Sequence, residues 1–235
     1  MSEQVGHREK REARPARPAV TTDVPSKTVD ELWLGVLQRL CAKTAHEIRG
    51  ALNGVSVNVE VVRARAGQPN APASSVGRFA DVAADQLGTV MSLTESVLSL
   101  ARAGTEPVEL APIVRRVADL LVPAIRVDGR RLELMEPLDL LGATTAPVNA
   151  ARLAIGAALL SAAEHASCVE CRVEAAGDQR MQVSAADGGA FTVDESVVRA
   201  LAGAGVVVRP ESSGLSISFP RSSPTPTSSR SSPGR

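Results

Sequence analysis

The chain has 235 residues, and its 26 lysines and arginines balance 26 aspartates and glutamates, so the formal net charge is zero. Apolar residues make up 44% and suffice for a core, but aromatics are only 2% (Trp33, Phe79, Phe191 and Phe219), so Leu, Val and Ala must fill it, which suits long helices better than a β-sandwich or barrel. Scarce rings argue against a stacking platform for single-stranded nucleic acid, and zero net charge gives no general attraction to DNA or acidic membranes.

Residues 1–26 are rich in Arg, Glu and Pro without apolar periodicity and read as a disordered tail. From Thr28 to about Arg65 there is no Pro, and apolar residues recur at Val29, Leu32, Val36 and Leu40, then Ile48, Leu52, Val55, Val59 and Val62. Steps of three and four define one helical stripe, and Thr28 with Glu31 makes a capping box at its start. Residues 67–75, with Gly67, Pro69 and Pro72, break that helix. A second stripe runs through Val76, Phe79, Ala83, Leu87, Val90, Thr94, Val97 and Ala101 and stops at Gly104. Two long helices and a short loop predict an antiparallel hairpin over 27–105. One hairpin has little to bury its stripe against, so pairing two of them into a four-helix bundle predicts a homodimer.

The pattern changes over 106–220. Residues 111–125 read as an amphipathic helix, 131–135 as a short strand, and 148–165 as a helix rich in Ala and Leu. Residues 168–175 and 180–186 alternate as strands around a turn at Gly177 and Asp178, a short helix spans 194–202, and 206–209 with 215–219 form a last hairpin across 210–214. This predicts a small α/β two-layer sandwich, helices over a mixed or antiparallel sheet. The Ser/Pro-rich residues 221–235 cannot bury anything and form a second tail.

The informative segment is Ala45-His46-Glu47-Ile48-Arg49-Gly50-Ala51-Leu52-Asn53. With Ile48 at zero on a wheel turning ~100° per residue, Leu52, Val55, Val59 and Val62 lie within ~40°, whereas His46 lies at ~160°, opposite the stripe. Arg49, Gly50 and Asn53 share its side. An exposed imidazole in mid-helix can attack a phosphoryl group, a neighbouring carboxylate such as Glu47 can orient it or take its proton, and the small Gly50 leaves room for a partner's active site. From the wheel alone, a solvated surface histidine with no role is the commoner case.

Ala45-His46-Glu47-Ile48-Arg49-x-x-Leu52-Asn53 resembles the H-box of two-component sensor histidine kinases, His-Glu-(Ile or Leu)-Arg-x-Pro-Leu. The segment 108–121, Val-Glu-Leu-Ala-Pro-Ile-Val-Arg-Arg-Val-Ala-Asp-Leu-Leu, is similar to the opening of that family's ATPase-like domain, and the similarity extends over roughly 28–220. The resemblance implies a dimerisation and histidine-phosphoacceptor hairpin followed by an ATPase-type domain. The family's helix-kinking Pro is Ala51 here, which predicts a straighter first helix. The Thr or Asn that usually serves phosphatase activity is Gly50, which puts that activity in doubt.

The family holds ATP and Mg2+ with an N-box asparagine helix, an Asp-x-Gly-x-Gly box and a glycine-rich lid, the asparagine for the metal, the aspartate for adenine, the glycines for phosphate. Here the N-box equivalent reads Ala158-Leu-Leu-Ser-Ala162-Ala163, without a metal-binding amide. The next box reads Asp187-Gly188-Gly189-Ala190-Phe191, with Phe191 in the second glycine position, where it obstructs a purine pocket; Asp187 and Gly189 then read as turn residues. No Gly-x-Gly loop fits before the closing segment Ser213-Gly-Leu-Ser-Ile-Ser-Phe-Pro220, so the lid is deleted. Such a site cannot orient a γ-phosphoryl group for in-line transfer.

Cys41, Cys168 and Cys171 are too few for a disulfide scaffold, and with His165 they leave a structural zinc one ligand short, so core cysteines are the simpler reading. The N-terminus lacks the apolar run of a signal peptide, and the apolar stretch 153–163 is about half the ~20 residues that span a bilayer, which predicts a cytoplasmic protein without a membrane partner. The resemblance and the lost nucleotide boxes together lead to the expectation of a phosphorelay histidine phosphotransferase. His46 would pass a phosphoryl group between response-regulator receivers, Glu47 would tune the imidazole, and Arg49, Gly50 and Asn53 would meet the receiver. Mg2+ would come from the receiver and no cofactor from this chain. The alternatives are a kinase that phosphorylates His46 from ATP and a non-catalytic pseudokinase scaffold for receivers.

Overall fold

A computed structural model of the chain describes residues 27–68, 72, 74–104, 107–127, 129–164, 170–176, 179–186 and 188–221. The tails read at 1–26 and 222–235, together with His165, Cys168, Gly177, Asp178 and Asp187, lie outside the described residues.

Helix α1 spans Val29–Ala66 as one uninterrupted helix of 38 residues, about 57 Å at ~1.5 Å per residue. Its capping box forms: the Thr28 hydroxyl accepts from the Glu31 amide at 3.3 Å, and the Thr28 amide donates to Glu31 Oε2 at 2.8 Å. Arg63 and Arg65 in the last turn complement the negative end of the helix dipole. Helix α2, Ser74–Ala101, runs back along α1. The two are latched halfway by Asn58 Nδ2, which donates to Gln86 Oε1 at 3.3 Å, and at the tip Arg65 lies over the Phe79 ring at 5.0 Å.

Strand β1, Val108–Glu109, leads into α3, Leu110–Val127. Then follow β2 (Arg131–Leu134), a 3-10 turn at Leu138–Leu141, β3 (Ala143–Thr144), α4 (Val148–Glu164), β4 (Glu170–Ala175), β5 (Arg180–Ala185), α5 (Glu195–Gly203), β6 (Val207–Glu211) and β7 (Gly214–Ser218). The main sheet has the order β2-β4-β5-β7-β6; β2 is parallel to β4 and the remaining pairs are antiparallel. β1 and β3 form a separate antiparallel pair that sequence periodicity did not suggest, since two-residue strands carry no period. Val173, Met181, Val183, Leu215 and Ile217 face inward from the sheet toward α3 and α4, whose Val114, Val117, Leu121, Leu153 and Leu159 complete an aliphatic core. The chain is thus a helical hairpin joined to an α/β unit with a mixed sheet. Pro210 sits inside β6, opposite Leu215, rather than in the turn expected there. β6 is an edge strand, where a missing amide costs no ladder bond.

The α/β unit docks on the first half of α1. Trp33, Val36, Leu40 and Thr44 are buried there, and Trp33 and Val36 lie over Gly156 of α4, where a side chain would meet Val36 Cγ1 at 2.9 Å and Trp33 Cζ3 at 3.2 Å. The second half of α1 and much of α2 have no such cover. Leu34, Leu52, Val59, Leu87, Met91 and Leu98 are exposed, although the stripes expected from the sequence include three of them. Burial on α2 falls on Ala83, as expected, and otherwise on Leu93, Ser96 and Leu100 rather than on the stripe. Cys41, read as a core residue, is only half-buried.

Candidate functional site

α1 continues through residues 45–53 because nothing there breaks it: Ala51 supplies the amide that a proline would remove. His46, Arg49, Gly50 and Asn53 are all exposed, and Glu47 is half-buried. A side chain added at Gly50 would meet nothing within 4 Å, so the space over that face is open. Among the described residues, no hydrogen bond or ion pair engages His46, Glu47, Arg49 or Asn53. Successive residues point ~100° apart on a helix, which is why Glu47 does not hold the imidazole here. Among the described residues the imidazole has no side-chain partner, and it stands on an unbroken helix.

Sequence reasoning missed two cations on the same face. Arg39 and Lys43 lie seven and three residues before His46, and both pair with Glu164 at the end of α4, Lys43 Nζ at 3.5 Å from Oε1. The spacing 39, 43, 46, 50 was visible on the wheel, but their partner is distant in sequence. This clamp sets the C-terminal end of α4 one turn below His46. A cleft of about 320 Å3 opens beside it, lined by Val36, Arg39, Ala157, Ser161, Glu164 and Asp194 among others.

The residues that resemble nucleotide boxes do not fit ATP and Mg2+. On α4, Ala158, Leu159, Leu160, Ala162 and Ala163 are buried. The one hydroxyl, Ser161 Oγ, donates to the Thr192 carbonyl at 2.7 Å, and Glu164 is engaged by Arg39 and Lys43. Gly188 closes a turn by donating to the Ala185 carbonyl at 3.1 Å, and Phe191 is buried in the core. Trp33 and Val36 cover the same helix at Gly156. Among the described residues, no group of three or more His, Cys, Asp or Glu could hold a metal, and no helix is long and apolar enough to cross a membrane.

The sequence matches no protein-family model, and no curated protein is similar to it.

Proposed function

We propose that this chain is a phosphorelay histidine phosphotransferase, with His46 as the residue that carries the phosphoryl group. The observation that carries this reading is the placement of His46: exposed, mid-helix, beside the open space over Gly50 and one turn above the Lys43–Glu164 contact. The resemblance of residues 45–53 to an H-box supports it. In the proposed reaction, an imidazole nitrogen of His46 attacks the phosphorus of a receiver's aspartyl phosphate. The P–O bond breaks, the aspartate leaves as a carboxylate, and an N–P bond forms. In the second half, the carboxylate of another receiver attacks the same phosphorus and the imidazole leaves. The receiver's Mg2+ neutralises the oxyanions, while this chain supplies the nucleophile and its position. Arg49 and Asn53 border the docking face, and Glu47 accepts or returns the imidazole proton once a receiver has closed over the site.

In this reading, 27–105 is the dimerisation and phosphoacceptor hairpin, and 106–220 is an ATPase-type domain that kept its packing and lost its ligand and lid. The dimer is a four-helix bundle. Leu34, Cys41, Ile48, Val55 and Val62 recur every seventh residue on α1, with Leu52 and Val59 between them. On α2, Ala84, Leu87, Met91, Thr94, Leu98 and Ala101 alternate by three and four. These are seams of the kind that pair helices, and a second copy would cover the apolar residues left bare on both. They lie well around the helix from His46, so pairing leaves the imidazole in solvent.

The test incubates the protein separately with phosphorylated receivers and with labelled ATP. Acid-labile, base-stable label on His46 from receivers only is the expected result. Label from ATP alone would make the chain a kinase, and a dimer that binds receivers without taking label would make it a scaffold.

A further inference from the structure

We propose that the cleft where the end of α2 meets α3 and α4 binds a small oxyanion, a phosphate or a carboxylate group, through the guanidinium of Arg152. The inference is independent of the relay reading.

Among the described residues, Arg152 is a buried cation without a buried anion. It is 7% exposed, its Nη1 donates to Asn149 Oδ1 at 3.2 Å, and its Nη2 donates to the Ser99 carbonyl at 3.3 Å. Among the described residues, its Nε has no hydrogen-bond partner. A buried unpaired charge and an orphaned donor are both costly, and proteins ordinarily neutralise them with a carboxylate or a bound anion. The contrast with Arg115 is informative: that exposed guanidinium holds two carboxylates, Glu136 at 3.0 Å and Asp139 at 3.1 Å. Burial also draws the Arg152 guanidinium below its ordinary pKa, as desolvation of an unpaired cation does.

The guanidinium lines an open cleft of about 190 Å3, with Ser99, Gly104, Glu109, Arg116 and Val148 among the other walls. That is several times the ~30 Å3 share of a liquid water but below the ~300 Å3 at which ordinary ligand pockets begin, so the space suits one small anionic group. Arg116 brings a second positive charge, partly offset by Glu95 at 3.3 Å and Asp119 at 4.0 Å. Glu109 is exposed. An anion in the cleft would meet the Arg152 guanidinium where Ser99 of α2 and Asn149 of α4 already converge, and would brace the hairpin against the α/β unit.

The experiment titrates the full-length 15N-labelled protein with inorganic phosphate, with acetate and with chloride at matched ionic strength. It follows the arginine Nε–H resonances and the melting temperature. The expected result is a saturable, millimolar shift of the Arg152 Nε–H signal and a melting temperature raised by about 3–6 °C at tenfold saturation. A response to phosphate identifies a phosphate site and a response to acetate alone a carboxylate site. Arg152→Lys, which keeps the charge and removes the Nε donor, abolishes the response. Should that variant fail to fold, Asn149→Ala assigns the Arg152 signal and the wild-type titration decides. No saturable shift, or the same shift with chloride, overturns the proposal.

Discussion

Lys43 of α1 and Glu164 of α4 meet at 3.5 Å, one helical turn below His46 and on the same face of α1. With Arg39, which also engages Glu164, they tie the end of α4 to the hairpin. The geometry is conspicuous, yet all three side chains are at least one-third exposed, so the ionic contacts direct the docking more than they stabilise it. The apolar seam of Trp33 and Val36 over Gly156 holds the two units together.

Glu164→Gln is therefore expected to cost less than about 1 kcal/mol. Gly156→Val drives two methyl groups into Val36 and Trp33 and is expected to cost roughly 1–3 kcal/mol. Urea unfolding measures both. Trp33 is the only tryptophan, so its emission reports the seam directly: red-shifted in Gly156→Val and unchanged in Glu164→Gln. A Gly156→Val protein of native stability and emission would mean that α4 does not dock here.

His46→Gln changes an exposed side chain that has no hydrogen bond or ion pair among the described residues, so its unfolding free energy should stay within about 0.5 kcal/mol of the parent. Transfer of label from a phosphorylated receiver should disappear completely, since glutamine has no lone pair basic enough to take a phosphoryl group. Residual transfer at the parental rate would place the acceptor elsewhere.

Leu52→Glu combined with Met91→Lys puts charges into the bare stripes of both helices. Sedimentation equilibrium should show the parent as a dimer and the double variant as a monomer. The α/β unit buries neither residue, so near-UV circular dichroism around Trp33 should persist. A monomeric parent would remove the bundle from the reading.

Acid should loosen the chain at identifiable carboxylates. Glu136 sits below the ordinary 4.5 because the Leu138 amide and then Arg115 favour its ionised form, and Glu31 is lowered by the Thr28 amide and hydroxyl. A carboxyl whose folded pKa lies below its unfolded one contributes stability that is complete above about 4.5 and lost as pH falls through the folded value. Melting temperature should thus be flat at pH 6 and fall below pH 4.5. Glu136→Gln should start lower at pH 6 and fall less steeply.

The sequence exposed the parts of this structure that depend on local periodicity. Thr28 and Glu31 cap α1 as their spacing required, the absence of proline let α1 run unbroken past residue 51, and the wheel put His46 on the open face. The stripe through Leu52 and Val59 was visible too, but not that its neighbours Trp33, Val36 and Leu40 would be covered while it stayed bare. That division depends on where α4 lands. The sequence placed Arg152 only within the helix at 148–165, and it is its burial against Ser99 that shows, among the described residues, a cation without an anion.

Period, caps and breakers act over a few residues, so the amino-acid order alone determined the long hairpin, the edges of most helices and strands, and which side of α1 carries the imidazole. Contacts between distant segments belong to no local pattern. The Glu164 clamp, the Trp33 seam on Gly156, the parallel placement of β2 beside β4 and the orphaned Nε of Arg152 were decided by the tertiary structure, because each depends on how two independently formed elements share one volume.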